Sequence, residues 1–201
     1  STSFGGAITN NLGSTLNIVK QGAGNLTLGG PNTYNGTTTI NAGTLTTAAN
    51  FVIPDTSAVT LSPTVTNTAT LDLANNNDSI LSLTIGAGAG ATAAQISTVQ
   101  TGTGTLTLLG NVTYDATNNP GPATISGKVS LGGTQVSTGL SGPVTRTFTV
   151  GNSANADPDL TVSAVLSNGT LGTGSTGDGV TKAGAGTMVL TAVNTYTGST
   201  I

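Results

Sequence analysis

Short runs in which apolar and polar residues alternate, each closed by a turn, make up much of this chain. Asn25-Leu26-Thr27-Leu28, Thr68-Ala69-Thr70-Leu71-Asp72-Leu73, Thr103-Gly104-Thr105-Leu106-Thr107-Leu108 and Thr145-Arg146-Thr147-Phe148-Thr149-Val150 place Leu, Phe and Val on one face and mostly Thr on the other. A period of two is that of a strand with one dry side and one wet side. Gly29-Gly30-Pro31-Asn32, Asn35-Gly36, Asn75-Asn76-Asn77-Asp78, Asn118-Asn119-Pro120-Gly121-Pro122 and Asn168-Gly169 interrupt the runs with residues suited to turns. The expectation is an all-β chain of short strands.

The strands recur in a larger pattern. Residues 20–40 read KQGAGNLTLGGPNTYNGTTTI and residues 182–201 read KAGAGTMVLTAVNTYTGSTI. Lysine, a G-x-G triplet, alternating apolar positions and N-T-Y-x-G follow in the same order. A degenerate third copy occupies 101–119, where Thr101 is read in place of the lysine and Asp115-Ala116 in place of x-Gly. Tyr34, Tyr114 and Tyr196 stand 80 and 82 residues apart. The motifs are bounded at 20–45, 101–119 and 182–201 within one solenoid segment spanning 1–201. The positions marked as structural are Lys20, Gly22, Gly24, Leu26, Leu28, Asn32, Tyr34 and Gly36, then Tyr114, then Lys182, Gly184, Gly186, Leu190, Asn194, Tyr196 and Gly198.

Composition narrows the architecture. With 30 Gly, 42 Thr and only three Phe and three Tyr, there are few large side chains to fill a sandwich core. Stacked coils need less, because each buries small inward residues against its neighbours. The fold expected is a right-handed parallel β-helix, with a β-sandwich as the alternative, and coils of roughly 20 to 27 residues would give about eight to ten turns. An outer-membrane barrel would require aromatic girdles that these six rings cannot supply.

The pattern K-x-G-x-G-x-L-x-L…N-T-Y-x-G-x-T-x-I resembles the passenger-associated transport repeat, also called the autotransporter-associated β-strand repeat. The resemblance implies a parallel β-helix in the passenger of an autotransporter or a very large bacterial surface protein. It further implies an extracellular or cell-surface location and a part in folding during export, not catalysis.

Charge and candidate chemistry agree with that implication. Charged residues are 5% of the chain, there is no His or Glu, and the net charge of −3 comes without a basic patch, which argues against nucleic acid. The lack of Cys excludes disulfides and thiolate metal sites. No apolar run reaches the length of a membrane span. Asp157 and Asp159 are the closest carboxylates, but they flank Pro158 in a turn-rich stretch with no base nearby, so no catalytic residue is assigned. Asn75 to Asp78 reads as a turn ahead of a calcium site, and no metal or cofactor is expected. The tyrosines are read as packing over their turns ahead of forming an exposed glycan-binding ladder. Lys20 and Lys182 are read as laying their stems on apolar surface with the ammonium in water. The Thr runs at 64–70, 101–107 and 145–149 suggest an ice-binding array only weakly, being unevenly spaced. With few titratable groups, little response to pH is expected.

The functional expectation is a structural or adhesive extracellular solenoid. Its alternative is a self-assembling filament subunit; ice binding, glycan binding and a polysaccharide-active enzyme are minor readings. The chain opens at Ser1 without a leader and Ile201 falls inside a motif. The partners expected are therefore flanking repeats of a longer protein or copies of the chain itself, with surface glycans left open.

Overall fold

The computed structural model describes residues 1–64, 67–86, 95–132, 142–169 and 177–201. Among them there are seventeen strands and no helix. Every pairing between these strands is parallel. Hairpin-linked sandwiches pair antiparallel, so the sandwich alternative falls and the stacked-coil expectation stands. The chain is a parallel β-solenoid.

One face is built from β1 (Thr2–Phe4), β3 (Asn25–Leu28), β5 (Gly43–Thr47), β7 (Ala69–Asp72), β10 (Ser97–Leu108), β12 (Ala123–Ser130), β14 (Leu160–Val162) and β17 (Met188–Leu190), adjacent in that order. These eight strands mark eight successive coils. The opposing sheet runs β2 (Ile18–Lys20), β4 (Thr38–Ile40), β6 (Ala58–Leu61), β9 (Ser82–Gly86), β11 (Val112–Asp115), β13 (Thr145–Val150) and β16 (Gly179–Ala183). A third side forms where β10 and β12 bend. Their second halves pair with β8 (Asp78–Ile80) and β15 (Val165–Ser167).

Stacking puts like residues over like. Leu26, Leu45, Leu71, Val99, Ile125, Val162 and Leu190 form one inward column of the first face, each paired with the next. Ile40, Leu61, Ile85, Tyr114 and Val150 form another in the opposing sheet. The interior where Leu83, Leu106, Ile125, Phe148 and Val162 meet has no room for water. Small side chains suffice because each coil is covered from above and below.

The outward positions are equally regular. Thr44, Thr70, Thr98, Thr124 and Thr161 are in register on the first face, and Thr39, Thr60, Thr84, Thr113 and Thr149 on the opposing sheet. Coil length varies from 19 residues (Leu26 to Leu45) to 37 (Ile125 to Val162), wider than expected. The paired strands keep step all the same, so uneven spacing along the chain becomes even spacing in space.

Candidate functional site

The residues that recur in the motif converge on the junctions between coils. In β2 the motif lysine, Lys20, points inward, opposite Ile40 of the next coil. The chain then turns through Gly22, whose φ is 74°. The turn aims its carbonyls back at the lysine. Lys20 Nζ donates to the carbonyls of Gln21 (3.1 Å), Gly22 (2.6 Å) and Ala42 (2.8 Å), the last belonging to the following coil. Only 5% of Lys20 is exposed, and burial pushes its ammonium below the ordinary lysine value. The expectation of an ammonium in water therefore fails for Lys20: inward carbonyls replace the solvent. Lys182 repeats the turn, with Gly184 at φ 82° and bonds to the Ala183 and Gly184 carbonyls at 3.2 and 2.7 Å, but it is only half-buried.

The middle copy departs at this point. By position relative to the left-handed glycine, Gly102 (φ 62°), the residue at the lysine's place is Gln100, which is exposed. Thr101, read from the sequence as the replacement, is instead turned fully inside, where its Oγ1 accepts the Lys128 N–H at 2.8 Å. The T-x-T run is broken here because the register shifts between Gln100 and Thr105. Of the run at 64–70, Thr66 lies outside the described residues.

The motif asparagines tie coils on the third side. Asn32 Oδ1 accepts the Ile8 N–H of the preceding coil at 2.8 Å, and its Nδ2 donates to the Val52 carbonyl of the following one at 2.9 Å. Asn194 Oδ1 accepts the Leu166 N–H at 2.9 Å in the same way. Side-chain bonds thus continue a ladder where the asparagine's own coil has no strand.

Tyr34 is fully buried, its hydroxyl 2.6 Å from Thr38 Oγ1, which is itself 2.9 Å from Ser57 Oγ. Tyr196 pairs with Thr200 in the same i to i+4 relation. Tyr114, also buried, donates to the carbonyls of Pro120 and Gly121 at 3.2 and 3.0 Å. Burial pushes the Tyr114 phenol up to about 12. Two rings inside the coil and one half-buried make no exposed aromatic ladder for a glycan. After the tyrosine comes the motif's last glycine, where coils nearly touch. A Cβ at Gly36 would lie 2.2 Å from Asn17 Oδ1, and one at Gly198 the same distance from the Gly177 carbonyl oxygen. Gly186 is similarly constrained by the Gly151 carbonyl at 2.2 Å, whereas Gly24 has space around it. Leu26, Leu28 and Leu190 are the inward residues of their strands, and Leu28 is buried.

Three carboxylates complete the junctions, and their role was not anticipated. Asp78, Asp159 and Asp178 are each at most 1% exposed. Asp78 Oδ2 accepts the Val52 and Ile53 N–H groups at 3.1 and 3.2 Å, and its Oδ1 that of Ser79 at 2.9 Å. Asp159 accepts from Ser153 (2.7 Å) and Thr187 (2.8 Å), and Asp178 from Val144 (2.7 Å) and Gly169 (2.6 Å). A lone Asp beside small residues in a turn-rich stretch is the one signal they leave, and it is shared with exposed Asp.

Elsewhere the chemistry does not converge. Asp157 is exposed while Asp159 is buried, so the closest carboxylates in sequence part in space. Asn75, Asn76 and Asn77 bond separately to Thr103, Thr47 and Thr105 of adjacent coils, a turn's arrangement. Among the described residues, no group of three acidic or other metal-binding side chains comes together. A surface groove of about 340 Å³ is lined by Gln21, Gly22, Asn41, Ala42, Thr64 and Asn67, amides, hydroxyls and small residues only. Two positions beyond the first-face threonine column stand Thr46, Asp72, Gln100 and Ser126, so a paired T-x-T array is not formed. No helix among the described residues is long and apolar enough to cross a membrane, which says nothing of membrane strands.

No curated protein and no solved structure matches the chain. A family model described as the passenger-associated-transport-repeat matches residues 18–46, 99–118 and 180–201. These segments hold the lysine turns, the asparagine links and the tyrosines, and over them the chain is similar to the passenger-associated transport repeat.

Proposed function

We propose that this chain is a structural segment of an autotransporter-type or giant bacterial surface protein, a stiff extracellular solenoid that carries and presents adhesive surface. One observation supports this above others: the polar residues of the repeat are spent on joining coil to coil. Lys20, Asn32 and Tyr34 each satisfy backbone or hydroxyl groups within the stack. Each new coil would then find its partners in the coil already formed, so a chain emerging from a pore folds by adding one interface at a time. A nearly uncharged, cysteine-free chain suits threading in the unfolded state. The outward threonine columns offer solvated surface without charge. Removing 182–201 from a longer parent should lower the yield of exported, protease-resistant protein; an unchanged yield would defeat the export role.

A second reading is a self-assembling filament subunit, in which copies of the chain stack as its own coils do. Phe4, Leu12 and Val19 on the first coil and Val189, Val193 and Ile201 on the last are exposed, the most extreme being Leu12 at 105%. A stacked coil would cover Phe4, which is paired with the buried Leu28, whereas Val19 and Val189 stand in the outward columns beside Thr39 and Thr161. Electron microscopy of the isolated chain across a concentration series separates the two. Discrete rods at all concentrations support the segment reading, and fibres with a repeat of about 4.8 Å support the filament. Globular particles would contradict both.

A further inference from the structure

The corner that follows β5 carries an exposed aromatic ring in a costly conformation. Phe51 is 61% exposed, the most open of the chain's six rings, and its φ is 56°. A lone apolar residue at a surface is common. A bulky one in left-handed backbone is not, since Asn or Gly fits there with less strain. Such strain persists only where the surroundings hold it, and it gathers at sites that clamp ligands. Here the Phe51 N–H is held by the Asn77 carbonyl of the next coil at 2.9 Å.

The asparagines beside the ring are fixed as donors. Asn50 Oδ1 accepts the Asn77 N–H at 2.7 Å, Asn77 Oδ1 the Thr105 N–H at 2.9 Å, and Asn75 Oδ1 the Thr103 N–H at 3.0 Å. A backbone N–H can only donate, so each amide turns its oxygen to the stack and its NH2 away from it. All three side chains are exposed, and among the described residues their Nδ2 groups have no partner. Residues 48–51 and 74–77 include no charged side chain.

We propose that this corner binds a neutral oligosaccharide, with Phe51 as the platform and the outward amides of Asn50, Asn75 and Asn77 as donors to its hydroxyl oxygens. The negative face of the ring meets the C–H face of a sugar. Asn50 and Asn77 stand on adjacent coils, about 4.8 Å apart, so their donors follow a chain of sugars laid along the stack. An anionic ligand finds no cation among these residues. The inference rests on the reading of the chain as an adhesive surface, and gives that surface a ligand class.

The test is binding of the chain to an array of immobilised neutral and acidic oligosaccharides, and to cells before and after enzymatic removal of their surface glycans. The chain should bind neutral glycans and lose the cells once these are stripped. Phe51→Asn should weaken glycan binding roughly tenfold or more, as loss of an aromatic anchor does. Its urea midpoint should hold or rise, because Asn tolerates the left-handed backbone; a ring that served packing alone would lower the midpoint and leave binding intact. Phe51→Tyr keeps a ring and should keep binding. Asn50→Asp keeps an oxygen for the Asn77 N–H but removes the donors, and should weaken binding without unfolding the corner. Equal binding by Phe51→Asn, hits confined to acidic sugars, or cell binding that survives stripping would overturn this site and leave the adhesive reading standing. Binding to neither array nor cells would overturn both.

Discussion

Lys20 shows how much a single side chain can do in a solenoid with almost no charge. Its ammonium serves three carbonyls that the turn and the next coil would otherwise leave buried. Replacing it with Met should cost about 2 kcal/mol, the worth of charge-assisted bonds together with the carbonyls left unpaired. Lys182→Met should cost less, since that lysine is half-exposed and joins two carbonyls of its own turn. Equal losses in urea unfolding would mean that the link to Ala42 contributes nothing. Glycine sets a sharper contrast. Gly36→Ala should destabilise by about 2 kcal/mol, in the range of overpacking, because its Cβ would meet Asn17 and the Leu16 carbonyl. Gly5→Ala, with open space around it, should change the midpoint little. At this scale the motif was legible as a pattern but not as a set of bonds. Lysine followed by a glycine two positions on marks a turn, but which way its ammonium curls depends on carbonyls of another coil. Asp78, Asp159 and Asp178 were illegible for the same reason: their donors lie up to 34 residues away.

Strands announce themselves by period two, and those cited from the sequence, around 25–28, 68–73, 103–108 and 145–150, all form. The Leu71 side chain, paired with Leu45 below and Val99 above, belongs to a column that extends through most coils. Leu71→Ala should cost about 2–5 kcal/mol, as for other fully buried leucines, in a cooperative unfolding experiment. A loss under about 1 kcal/mol would show that the column is loosely packed. What the sequence conceals at this level is the corner. β10 continues past Gly102 into a second side of the coil, and only the left-handed backbone and the shift in pairing with β12 reveal it. Thr101 keeps the inward phase of Ser97 and Val99, and the bend after it reverses the phase, so the run at 101–107 does not share one face.

For the whole molecule, parallel stacking was legible because the repeat is long and ordered and because few large side chains are present to fill any other core. Coil lengths of 19 to 37 residues were not, since the number of residues between paired strands varies without disturbing the columns. The coils stack in parallel register, and a chain without cysteine allows this to be tested directly. Thr60 and Thr84 are paired partners on adjacent coils and face outward, while Thr113 is one coil further along the same column. Neighbouring strands lie about 4.8 Å apart, within the reach of a disulfide, and two coils span about 9.6 Å, beyond it. Under mild oxidation, Thr60→Cys with Thr84→Cys should cross-link within one chain, and Thr60→Cys with Thr113→Cys should not. Failure of the adjacent pair, or equal cross-linking of both, would contradict the stacked solenoid.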